Sequence, residues 1–150
     1  MAISQAMCTS FKVQILNGIH AFGTTVTRDS TAADTFRIAL FTSAATLDAS
    51  TTTYSSTNEV PNGSGYTTGG QTLTVSQVPT STSTTAWLDF DDVTWTTATI
   101  TANGALIYNS TQNDKAVAVL AFGGDKSSTA GNFTIQFPAA NSTSAIIRIA

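Results

Sequence analysis

Asp34-Thr35-Phe36-Arg37-Ile38-Ala39-Leu40-Phe41-Thr42 is the stretch on which the fold turns. Phe36, Ile38 and Leu40 alternate with Arg37, Ala39 and Phe41, so a pleated backbone puts the first three on one face and the second three on the other. The same two-residue period returns towards the C-terminus. Gln71 to Val78 alternates through Leu73, Val75 and Gln77. Pro79 to Thr85 is rich in turn residues and reads as a linker. Ala86 to Trp95 reads as one strand whose parity breaks: Leu88 and Phe90 share one phase, Val93 and Trp95 the other. One extra residue near Asp91-Asp92 reconciles them, so a β-bulge is expected there. Ile100 and Ala105 to Tyr108 follow, with Asn103-Gly104 as a turn signal between them. Ala116 to Phe122 is continuously apolar, as in a strand buried on both faces, and Gly123-Gly124 is expected to end it. Phe133, Ile135 and Phe137 alternate, and Ala145 to Ile149 supplies a last strand. About seven to eight strands with regular turns predict a mainly β chain, an antiparallel β-sandwich or jelly roll. A parallel sheet is disfavoured because no second helix is available for crossovers.

Upstream of residue 34 the pattern changes. Met7, Phe11, Ile15 and Ile19 recur every four residues, flanked by Cys8 and Leu16, with Lys12, Gln14 and Asn17 off the stripe. This predicts one N-terminal α-helix over Ser4–Ile19, with Ser4 as N-cap and Gly18 or Gly23 as terminator. Its stripe is suited either to covering a face of its own β-domain or to docking on another subunit. Residues 24–33 are polar and read as a loop. Ser43 to Gly70 is the longest weakly patterned region and reads as a short strand plus an extended loop or arm. The chain is thus expected to be a single domain over 1–150, with a helix and its cap at 3–22, a sandwich at 34–150, and the arm at about 43–70.

Composition narrows the function classes. Thr and Ser together occupy 45 of 150 positions, while charged residues make up only 10%. Threonine suits strands through its β-branching and keeps an exposed face soluble without charge. The net charge of -3 and six scattered cations disfavour a nucleic-acid footprint or an anionic membrane surface. No apolar run is long enough to span a bilayer, and the N-terminus lacks the pattern of a secretory signal. Synthesis in a cytoplasm without a signal peptide is therefore expected.

Catalytic and metal chemistry find little support. Cys8 and His20 are the only residues of their kinds, which removes an internal disulfide and any multi-His or multi-Cys metal site. No GxSxG elbow accompanies His20. Asp89, Asp91 and Asp92 match no calcium-loop spacing and supply too few oxygens locally, so they read as a solvated acidic strand edge. Trp87, Trp95, Tyr54, Tyr66 and Tyr108 suit either core and rim packing or a carbohydrate-stacking platform. The expectation is a non-enzyme with no cofactor and no metal.

Several segments together resemble small structural proteins of tailed bacteriophages. They are Ser10-Phe11-Lys12 with Asn17 to Phe22, Asp34 to Thr42, Glu59-Val60, Gly65-Tyr66-Thr67, Gly69-Gly70, Gly104 to Tyr108, and Phe122-Gly123-Gly124. The resemblance spans nearly the whole chain and carries no catalytic motif. It implies a virion component, a capsid cement or decoration protein on the head surface. The implied partners are the major capsid protein and the chain itself, as a homodimer or homotrimer. The expected contact residues are Met7, Phe11, Ile15 and Ile19 from the helix, and Tyr54, Val60 and Tyr66 from the arm. The alternative is a tail-associated β-module for receptor or glycan binding, which expects Trp87 or Trp95 on an exposed platform.

Overall fold

The computed structural model describes residues 3–16, 18–24, 33–83 and 85–150. The chain is mainly β and sandwich-like, with two antiparallel sheets of five and three strands. In chain order the elements are β1 (Ala6–Met7), α1 (Thr9–Leu16), β2 (Phe36–Phe41), β3 (Gln71–Thr72), β4 (Val75–Thr82), β5 (Thr85–Phe90), β6 (Val93–Asn109), β7 (Lys115–Ile135) and β8 (Ile147–Ile149). The larger sheet runs β1-β7-β6-β2-β3 and the smaller β4-β5-β8.

Strand β2 forms as its alternation predicts. It pairs with β6 from Phe36↔Asn109 to Phe41↔Gly104. Phe36, Ile38 and Leu40 on one face and Ala39 and Phe41 on the other are all buried. On the face turned towards the smaller sheet, Phe36 stacks on Phe22 at 4.2 Å and meets Phe90 at 6.0 Å. Phe90 in turn meets Phe137. Ala116 to Val119 is buried at every position, as a strand covered on both faces requires, whereas Leu120, Ala121 and Phe122, the end of the expected run, are half-buried.

The N-terminal helix is much shorter than its stripe predicts. Ala6 and Met7 pair with Val119 and Ala118 as a strand at the edge of β7, and Ser4 N–H donates to Leu47 O rather than starting a helix. A four-residue repeat also drifts about 40° per step around a 3.6-residue helix, so the stripe cannot hold one face for long. Non-local strand pairing therefore takes the first turn. At the other end Gly18, with φ of 66°, supplies the left-handed position. Ile19 N–H donates to Gln14 O at 3.0 Å and Gly18 N–H to Ile15 O at 2.9 Å, the paired bonds of a Schellman cap. Asn17 and residues 25–32 of the expected loop lie outside the described residues.

Three further expectations are corrected. Ala86 to Trp95 is two strands in different sheets, so the parity break at Asp91-Asp92 marks the crossing between layers and not a bulge. Gly123-Gly124 do not end β7, which continues past them through the widest of several bulges against β6. Gly104 pairs with Ala121 and Ala102 with Lys126, so Asn103 alone stands opposite residues 122–125. Asn103-Gly104 is therefore inside β6, and the β6–β7 turn falls at 110–114. Strand β4 also runs through Pro79, which the sequence suggests for a linker. As an edge strand it tolerates a residue with no N–H, and its register is irregular between Gln77 and Thr80.

Candidate functional site

Residues 43–70 contain no extended strand, yet they are bound down on the domain. Val60 N–H donates to Leu40 O, Tyr54 N–H to Asp114 O, and Thr99 N–H to Ser64 O. Ala45, Leu47, Val60 and Tyr66 are buried. This segment is a fixed cover over the larger sheet, not an arm reaching away from it.

A polar knot holds the cover. Glu59 is buried, and its Oε1 accepts from the Tyr66 hydroxyl at 2.5 Å and from Gly69 N–H at 2.7 Å. Its Oε2 accepts from the Tyr54 hydroxyl at 2.6 Å. Leu40 N–H donates to the Tyr66 oxygen. The Tyr108 hydroxyl donates to Gly69 O, and Arg37 donates to Gly69 O and Gly70 O at 3.1 and 2.7 Å. Tyr54 stacks on Tyr108 at 4.5 Å. Burial, then the bond to Glu59, pushes the Tyr54 and Tyr66 phenols well above their ordinary range. Burial also raises the Tyr108 phenol, against the opposing pull of Arg37. Both Glu59 oxygens are committed to internal donors, so the knot is built for fastening.

A second clip joins the N-terminal segment to the β6–β7 turn. Buried Asn109 donates from Nδ2 to Asp34 Oδ2 at 2.8 Å and to His20 Nδ1 at 3.1 Å. His20 Nε2 then faces Gln14 Oε1 at 2.8 Å as the protonated nitrogen. Phe11 meets the His20 ring edge-on at 4.8 Å.

The acidic residues near position 90 do not converge. Asp89 is buried, Asp91 and Asp92 are exposed, and Asp92 Oδ1 accepts from Phe137 N–H. Burial raises the Asp89 carboxyl, against the opposing pull of the main-chain N–H groups of Phe90, which binds Oδ1, and Ile146. No group of three or more His, Cys, Asp or Glu among the described residues is placed to hold a metal ion. Cys8 is fully buried, and burial raises its thiol.

The expected contact residues divide in two. Phe11, Val60 and Tyr66 are buried in the chain's own core. Met7, Ile15, Ile19 and Tyr54 are half-buried and remain partly open to solvent. Trp95 is buried between Tyr66 and Phe133, so the aromatics do not form one exposed platform. Trp87 is half-buried on an apolar groove of about 210 Å³ that also includes Ile15, Phe22, Leu88, Ile147 and Ile149. Among the described residues, Val78 and Ile149, at 36% and 46% exposure, are the large apolar side chains left open on the smaller sheet. This groove leaves no mark in the sequence, because Ile15, Phe22, Leu88, Ile147 and Ile149 lie far apart in the chain and meet only through the β5-β8 pairing and the N-terminal segment packed beside it.

The outward face of the β6–β7 ribbon has the opposite character. Thr94 and Thr134 share a hydroxyl bond at 2.8 Å, as do Thr101 and Ser127. These cross-strand pairs make a neutral, hydroxyl-covered surface.

No protein-family model matches this chain, and no curated protein or solved structure matches it.

Proposed function

We propose that this chain is a virion structural protein of a tailed phage, a capsid cement or decoration protein that binds the head surface across neighbouring major capsid subunits. The observation that carries the reading is the apolar groove beside Trp87 and Ile149 on an otherwise neutral, tightly fastened sandwich. Open apolar patches of this kind mark contact surfaces. Modest contacts multiplied over a symmetric lattice give high total affinity without any titratable site. The repeated crossings between sheets, at β3–β4, β5–β6 and β7–β8, agree with a jelly-roll-like member of the sandwich class. The fixed cover at 43–70 shifts the contact role away from that segment and onto the smaller sheet and the partly exposed Met7, Ile15 and Ile19. Self-association as a dimer or trimer belongs to the same reading.

The test is binding of the purified chain to heads that lack it, followed through fluorescence. Trp95 is shielded in the core, so a change in acrylamide quenching on binding reports Trp87. Protection of Trp87 by heads, and loss of binding in Ile149→Asp, are the expected results. Full binding by Ile149→Asp counts against this surface. The tail-module alternative rests on the half-exposed Trp87 alone, and it gains if the chain binds cell envelopes and not heads.

A further inference from the structure

A second concave site lies on the larger sheet, away from the apolar groove. It is a cleft of about 400 Å³ whose polar lining includes Thr42, Ser43, Asn62, Ser64, Thr99 and Asp125. Two unusual backbone devices converge on it. The first is the 62–66 turn. Ser64 there holds a φ of 51°, Gly63 and Tyr66 exchange two main-chain bonds at 2.8 and 2.9 Å, and Ser64 O is tied to Thr99 N–H at 2.8 Å. The second is the wide bulge of β7, whose extra residues bring Asp125 over β6, where Asn103 Nδ2 donates to Asp125 Oδ1 at 2.8 Å. Left-handed non-glycine residues and wide bulges both cost free energy, and both recur where a chain must aim side chains at a ligand.

The lining selects the ligand class. Among the described residues the cleft presents no cation, so an anionic ligand finds a carboxylate and no counter-charge. One carboxylate is too few for a tight calcium site. No aromatic ring lines it either, so a flat stacking ligand has no platform. Short hydroxyl and amide groups around a single anchored carboxylate suit a neutral polyol: the carboxylate accepts from two ligand hydroxyls, and serine and threonine either donate or accept. Thr101, also in the lining, shares a hydroxyl bond with Ser127 at 2.8 Å, so the cleft adjoins a hydroxyl pair of the ribbon.

We propose that this cleft binds neutral saccharides, with Asp125 as the principal acceptor and Ser64 as a preorganised hydroxyl partner. The site does not depend on the head-binding role and is tested on the isolated chain. Amide shifts of the ¹⁵N-labelled full-length protein would be followed with maltotriose, cellotriose and chitotriose, and with 3′-sialyllactose as the anionic probe. The expected result is a saturable shift of the 62–66, 99–101 and 122–126 amides with at least one neutral trisaccharide at up to about 10 mM. Asp125 is exposed, so Asp125→Ala keeps the fold, and it should weaken binding about tenfold, some 1.4 kcal/mol. Ser64→Gly is the second variant. It relieves the left-handed φ and deletes the hydroxyl, so it should fold at least as well and bind less well. The proposal is overturned if none of the three neutral sugars shifts those amides, if 3′-sialyllactose shifts them equally, or if both variants bind as wild type.

Discussion

Replacing Glu59 tests how the 43–70 cover is held. In Glu59→Ala three donors lose their acceptor: the Tyr66 hydroxyl, the Tyr54 hydroxyl and Gly69 N–H. Hydrogen bonds to a charged group contribute about 1.5–3 kcal/mol each, and a stranded buried donor costs about 1–3 kcal/mol. Tyr66 is 2% exposed and bears that full cost. Tyr54 and Gly69 are half-buried and regain water, so each is discounted to about 0.5–1 kcal/mol. The sum is about 2–5 kcal/mol, a large share of the 5–15 kcal/mol typical of a domain. Glu59→Gln behaves differently. Its Oε1 still accepts from Tyr66 and Gly69, and the Tyr54 hydroxyl rotates to accept from Nε2, so only charge assistance is lost, about 1–2 kcal/mol. Urea unfolding followed by tryptophan fluorescence measures both, since Trp95 lies 5.9 Å from the Tyr66 ring. A loss below about 1 kcal/mol in Glu59→Ala, or equal losses in the two variants, would refute the reasoning.

Three other outcomes are expected. Gly70→Ala should unfold the domain or destabilise it by more than about 3 kcal/mol, because its Cβ would sit 1.8 Å from Ile38 O at a φ of 69°. Gly123→Ala, at a φ of 72° with nothing within 4 Å, should cost only about 1–2 kcal/mol, and thermal melts compare the pair. Burial raises the Asp89 carboxyl in the folded state, so the folded chain holds its proton to higher pH than the unfolded chain. Its contribution is then present below the ordinary carboxylate value of about 3.9 and lost as pH rises. The stability of Asp89→Asn relative to wild type should therefore improve as pH rises from about 4 through the raised folded value and then level off, and parallel melting profiles of the two proteins would contradict this. Finally, Cys8 should resist a thiol reagent in the folded protein and react at once in guanidinium, because it is fully buried with a raised thiol.

What the sequence disclosed follows from how each part is held. Strand β2 was legible because its alternation is local, and so was the Ala116–Val119 run, whose unbroken apolarity leaves few other solutions. Gly18 was legible as a helix end because left-handed backbone favours glycine. Gly123-Gly124 was ambiguous for the same reason, since the residues that stop a strand also permit a bulge within one. The division between β5 and β6 was hidden because two short strands on either side of a layer crossing look like one strand with a slipped phase. The 43–70 cover was opaque because it rests on Glu59, Tyr54, Tyr66 and Arg37 reaching main-chain and side-chain groups elsewhere, and such bonds leave no period in the sequence. Ala6 and Met7 were misread because their partners, Val119 and Ala118, lie more than a hundred residues away.

The most direct test of the coat assignment is the copy number of this chain in purified virions, relative to the major capsid protein. Near parity, or a simple fraction set by the icosahedral lattice, is the predicted result. A few copies per particle would contradict the head role and favour the tail module, and absence from the particle would contradict both.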